Sequence, residues 1–234
     1  MTTTPTTDTA TATMIKLIGS LADNKSALGR RYGEWAVSAP TIESAVAAAA
    51  MAQDELGHAR STYPVLAKLG VTRDEDTLDS GHPLRVIEHE LPDWASFIAA
   101  NLVVDGILTT FVASARESSI GPLAQRARKI LQEEGAHRRH GEAWARRIVQ
   151  AGGADRELLA RRIAEMWGDA ARWPGPDGDA GYRDAVTKEM VREGPAAVRD
   201  RVRRWLTALL DAQGIEVALD EPTEWASWDE EHRR

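Results

Sequence analysis

The pattern Glu-x-x-His occurs twice in this sequence, as Glu55-Leu56-Gly57-His58 and as Glu134-Gly135-Ala136-His137. Residues three apart share one face of an α-helix, so each pair can aim a carboxylate and an imidazole at one point. In a helical bundle this is the donor set of a carboxylate/histidine metal centre, and it suits iron or manganese better than thiolate-loving metals. One such pair on an exposed helix face would mean little. Here both pairs interrupt inward-looking stripes: Ala48, Met51, Ala52, Ala59 and Thr62 surround Glu55, and Ala127, Ile130, Gly141 and Ala145 surround Glu134. An unpaired carboxylate on such a stripe is costly. A third acid, Asp105, interrupts the apolar stripe Trp94, Ile98, Leu102, Leu108, Val112.

The elements that must position these residues are helices. Ala, Leu, Arg and Glu dominate long stretches with a 3.6-residue period, and strand signals are nearly absent. Helix one is expected over Ile15 to Trp35, with the stripe Leu17, Leu21, Leu28, Tyr32, Trp35. Thr41 caps helix two, which ends at Leu69-Gly70. A polar connection with Asp74, Glu75, Asp76, Gly81 and Pro83 follows. Helix three runs from Pro92-Asp93 to Glu117, and helix four from Leu123 to Gln150. Two hairpins joined by a longer crossover make an all-α, ferritin-like four-helix bundle. Further helices are expected at Asp155–Trp167 and, as one or two pieces, at Tyr182–Gln213. The organisation is therefore a disordered Thr-rich tail (1–13), a helical domain (14–219; core bundle 15–152, extra helices 154–213) and an acidic tail with Trp225 and Trp228 (220–234).

Depth along the bundle follows from residue counting. Asp105 and Glu134 each lie about 14 or 15 residues from the turn between their helices, which places them at one level. Glu55 lies about 15 residues beyond the first turn, and its counterpart on helix one is Asn24 or Lys25, since Glu34 is about 15 Å too close to the turn. A fourth carboxylate is thus replaced by an amide or an ammonium. Three carboxylates with a protonated Lys25 leave two negative charges, enough for one divalent ion. Alternatively Lys25 is deprotonated by burial, or it snorkels outward and leaves its place to water.

Composition narrows the function classes. The chain has 234 residues, 43% hydrophobic, a formal net charge of −7 and no cysteine. Disulfides, zinc–thiolate sites, iron–sulfur clusters and cysteine nucleophiles are excluded, and the acidic balance disfavours nucleic acid. No apolar run nears the roughly 20 residues of a membrane span and no secretory signal opens the chain, so no membrane partner and a cytoplasmic location are expected.

The residues quoted above resemble the ferritin-like A and C subunits of the phenylacetyl-CoA oxygenase (ring-1,2-epoxidase) complex, over roughly Leu28 to Trp173. The similarity is carried by Gly33-Glu34-Trp35 to Ala39-Pro40-Thr41, by Gln53-Asp54-Glu55-Leu56-Gly57-His58-Ala59-Arg60, by Pro92-Asp93-Trp94-Ala95 leading to Asp105, and by Glu133-Glu134 to His140. Met166-Trp167 to Trp173-Pro174 looks more like the C subunit. The resemblance implies metal ligation by Glu55, His58, Asp105, Glu134 and His137, with Lys25 at an altered ligand position. It also implies iron (two ions, or one if Lys25 occupies the site; manganese is the alternative), an aromatic acyl-CoA substrate, an external reductase, and a homo- or hetero-oligomer with a related ferritin-like subunit. In that family the A subunit activates dioxygen at a di-iron centre, while the C subunit has a degraded site and a structural role.

Two functions follow as expectations. One is a dioxygen-activating metal-carboxylate component with an external electron donor. The other is a non-catalytic accessory subunit in which Lys25 replaces metal charge. Elsewhere, His140 and the basic run Arg138, Arg139, Arg146, Arg147 fit a solvated helix face. His82 and His89 fit the surface, and Arg199, Arg201, Arg203 and Arg204 fit a solvated or partner-facing helix. Trp94, Trp144 and Trp167 fit the core, while Trp225 and Trp228 fit docking on the bundle or on a partner.

Overall fold

A computed structural model of the chain describes residues 8–73 and 81–234. Among them every regular element is helical: α1 (Thr9–Trp35), α2 (Ile42–Lys68), α3 (Trp94–Ala99), a π-helical turn (Ala100–Val104), α4 (Asp105–Ser114), α5 (Gly121–Ala151), α6 (Gly153–Ala170), α7 (Ala180–Thr187) and α8 (Pro195–Asp211). The pair α1–α2 and the pair α3/α4–α5 form two hairpins joined by a long crossover, the ferritin-like arrangement expected. Asp74, Glu75 and Asp76 of the crossover, and the first seven residues, lie outside the described residues.

The caps explain where the helices begin. Thr41 accepts the backbone N–H of Ser44 at 3.2 Å to start α2, and Asp93 accepts that of Ser96 at 2.7 Å to start α3. Pro122 sits in the first turn of α5, where its missing N–H has no partner to lose. Gly70 ends α2 at φ +86°, in the left-handed region.

Helix α1 begins earlier than its own apolar pattern predicts. Thr9–Thr13, expected in a disordered tail, are helical for tertiary reasons. Asp8 caps the helix at Thr11, Lys188 pairs with Asp8 at 2.8 Å, and Thr9 donates to Asp184 of α7 at 3.0 Å. Gly181 of α7 comes so close to Thr13 that no side chain fits between them.

Trp94–Ser114 is long and apolar enough to cross a membrane, with mean hydropathy 1.7, which corrects the expectation that no run reaches that length. Its place is the middle of the bundle, where 83% of its most apolar window is buried, and Asp105 is its single charged residue. The π turn in this helix escaped the periodicity. It sets Asn101 and Asp105 on the same inward side, where Asn101 Nδ2 lies 3.5 Å from Asp105 Oδ2. Gly141 of α5 makes room for this, since a Cβ there would collide with Asn101 Oδ1.

The C-terminal part wraps the bundle. Helix α6 packs on α3 and the π turn, α7 on α1, and α8 on α4. The segment from Asp220 follows. Trp167 donates to the Asp220 carbonyl at 2.8 Å, Lys16 pairs with Glu230 at 2.8 Å, and Ser20 donates to the His232 carbonyl at 2.9 Å. Trp225 and Trp228 meet edge-to-face beneath Arg199 and Arg233, so they dock on the chain's own bundle. Arg199 departs from the solvated expectation. It is 2% exposed and donates to the Gly175 carbonyl and to Glu221, each at 2.8 Å. His140 also departs, being half-buried edge-on to Trp94 and Phe97.

Gly141→Ala forces the Asn101 side chain out of its position, and a cost of about 1–3 kcal/mol is expected. A urea denaturation midpoint unchanged from wild type would refute that packing.

Candidate metal centre

The structure brings all five expected donors, and Lys25, to one level of the bundle. Each of the four long helices contributes: Lys25 from α1, Glu55 and His58 from α2, Asp105 from α4, Glu134 and His137 from α5. All six residues are at most 3% exposed. Ligand atoms of Glu55, Asp105, Glu134 and His137 lie within 4.8 Å of one another.

The centre of this cluster is occupied by Lys25. Its Nζ lies 2.6 Å from Asp105 Oδ1, 2.5 Å from Glu134 Oε1, and 3.1 and 3.0 Å from the two oxygens of Glu55. An ammonium has three donors, and here each has its own carboxylate. Burial alone would pull the Lys25 pKa down, but the fields of Asp105, Glu134 and Glu55 overcome it and hold the pKa well above the ordinary value. Lys25 is therefore neither deprotonated nor turned outward, two of the alternatives its position allowed. Asn24, the other candidate for this level, serves the fold instead: it accepts from Leu84 N and donates to the Ser20 carbonyl, each at 2.8 Å.

The imidazoles complete the charge balance. His58 Nδ1 lies 3.3 Å from Glu134 and 3.5 Å from Glu55, and His137 Nδ1 lies 3.4 Å from Glu55 and 3.6 Å from Asp105. Burial opposes their charge. The close approach of Glu134 and Glu55 nonetheless raises His58 to about 9, and that of Asp105 and Glu55 raises His137 to about 11. Burial raises all three inner carboxylates; Lys25 and the histidines hold Glu55 and Asp105 down against it, while Glu134 stays raised by burial and by the field of Asp105.

A second layer of acids was not anticipated. His58 Nε2 is 2.8 Å from Glu133, and His137 Nε2 is 3.2 Å from Asp54. Each histidine is braced by the acid beside the other helix's glutamate, which crosslinks α2 to α5. The signal lay in plain view: both motifs carry a doubled acid, Asp54-Glu55 and Glu133-Glu134. Asn101, beside Asp105, was likewise missed as a site residue. A cleft of about 300 Å³ lined by residues of α4, α5 and α8 touches Asp105 and Glu134, and Arg138 lies 4.2 Å over the Trp205 ring at its edge.

The inner shell and its bracing are those of a metal site, since a ligating histidine normally gives its other ring nitrogen to a carboxylate. The centre itself does not fit a pair of divalent ions. The fourth carboxylate is absent, its level holds a cation, and that cation takes an oxygen from every remaining carboxylate.

A profile of the phenylacetic acid catabolic protein family matches residues 1–234. The chain belongs to that family. It is similar to the C subunit of the 1,2-phenylacetyl-CoA epoxidase of Escherichia coli (strain K12), at 28% identity over 186 residues, covering 76% of this chain and 73% of the relative. The family thus supplies the ferritin-like frame, and this member's cluster is closed by an internal ammonium.

Two outcomes are expected. Lys25→Met leaves three buried carboxylates facing one another and costs about 3–5 kcal/mol, measured by urea unfolding. For the histidines, the folded pKa stands above the unfolded one. Their contribution is complete below about pH 6.5 and is lost as pH rises through about 9 and then about 11. Stability should fall by more than about 1 kcal/mol between about pH 7 and pH 10, and more shallowly in His58→Gln. A flat alkaline profile would show that His58 is neutral in the folded chain.

Proposed function

We propose that this chain is a non-catalytic accessory subunit of an aromatic acyl-CoA oxygenase, in which Lys25 does the electrostatic work of a metal pair. The observation that carries this reading is the Lys25 ammonium within 3.1 Å of all three carboxylates. A bundle core with three like charges needs a counterion to fold. A built-in ammonium supplies it at all times, whereas a metal must be loaded. In this reading a related ferritin-like protein with an intact carboxylate set carries out oxygen activation, takes electrons from an external reductase and holds the acyl-CoA. Likeness to the C subunit of an epoxidase supports the assignment. The cytoplasmic location expected for such an assembly belongs to the same proposal. Oxygen activation in this chain would require Lys25 to leave the centre, and no geometry favours that.

Elemental analysis tests the proposal. Protein from cells supplied with iron and manganese is expected to hold no stoichiometric metal, and Lys25→Glu, which supplies the missing carboxylate, is expected to gain it. One or two ions per wild-type chain would overturn the accessory reading.

A further inference from the structure

Two histidines far apart in the sequence meet on the outer side of α1. His82 belongs to the crossover and His232 to the segment that follows Asp220. Their ring centroids are 3.9 Å apart, with the planes tilted by 52°. Both backbones are held. The His82 N–H donates to Asp23 at 3.2 Å, and Gly81 packs so tightly on Asp23 that no side chain fits there. The His232 carbonyl accepts from Ser20 at 2.9 Å, and its N–H donates to Asp229 at 3.1 Å. Arg234 joins the same two segments a second time, donating to the Pro83 carbonyl and pairing with Glu88, each at 3.2 Å.

The two rings are arranged as ligands. His232 Nδ1 lies 2.7 Å from Asp229 Oδ2. A carboxylate accepts and does not donate, so this bond puts the proton on Nδ1 and leaves the lone pair of Nε2 free in the neutral ring. A carboxylate on the far nitrogen is the brace that a metal-ligating imidazole normally has. The His82 ring makes no hydrogen bond or ion pair among the described residues. That residue is exposed, so both of its nitrogens are open to a ligand. The neighbouring cations are already paired: Arg73 with Asp23 at 2.8 Å, and Lys16 with Glu230 at 2.8 Å and Glu231 at 3.3 Å.

We propose that His82 and His232 together bind a transition-metal dication of the zinc, nickel or copper kind, with water completing its coordination. Imidazole donors suit these ions, and iron(II) and manganese(II) stand lower in the affinity order for the same donors. Two nitrogens on one zinc ion, each about 2.0–2.1 Å from it, lie within about 4 Å of one another. Rings already 3.9 Å apart come to that spacing by side-chain rotation, with both backbones left in place. The bound ion ties the C-terminal segment to the crossover. The site shares no residue with the buried cluster, so the inference holds whether or not that cluster takes metal.

Isothermal titration calorimetry of the untagged full chain with zinc chloride, after dialysis against a chelator, is the test. The wild type is expected to bind one ion at this site and to melt at a higher temperature with zinc than without it. Asp229→Asn, which removes the brace, should weaken binding about tenfold. His82→Ala and His232→Ala should each weaken it further and remove the rise in melting temperature. His89→Ala, at the other exposed histidine of the crossover, should change neither. His82→Cys, which offers a thiolate in place of the imidazole, should bind zinc more tightly than His82→Ala. The circular-dichroism spectrum of each variant without metal is expected to match the wild type. A wild type that binds no zinc overturns the proposal. So does binding unchanged in both His82→Ala and His232→Ala, which would place the ion elsewhere.

Discussion

Everything in the middle of this bundle depends on one ammonium group. Lys25 approaches from α1, and the carboxylates it holds come from α2, α4 and α5, so a single side chain ties the four long helices at one level. In a buried site three carboxylates repel strongly, and cations facing them favour their ionised forms. One cation comes from the lysine and two from the histidines. The histidines are in turn fixed by Glu133 and Asp54 across the α2–α5 contact. The donor arrangement is one that could hold a metal, and in this structure the protein's own cations face it.

The C-terminal third of the chain keeps α1 covered. Helix α7 lies against α1, and Ser20 accepts from Trp173 at 2.9 Å while donating to the His232 carbonyl. Arg233, fully buried, donates to the Trp173 carbonyl at 3.1 Å. These contacts satisfy Ser20 on the polar back of α1. The residues after the bundle thus help to bury α1.

The sequence by itself determined the helical class, the two hairpins, their caps, and the level at which Glu55, Asp105, Glu134 and His137 meet. These follow from local rules. Helical periodicity fixes which residues share a face, and a constant rise per residue turns counting into depth. It also singled out Lys25 as the odd member, within a register of one residue.

What only the tertiary structure decided was the state of that residue and of everything that depends on more than one helix. Whether Lys25 is charged and inward depends on the summed field of three acids from three helices, which no single segment encodes. The π turn before Asp105 arises where Asn101 must fit against Gly141 of a different helix. Thr9–Thr13 become helical only because α7 receives them, and Arg199 is buried only because the chain's end folds back to pair with it. Spacing along one helix is a local property, whereas charge state, burial and helix irregularity are set by neighbours distant in sequence.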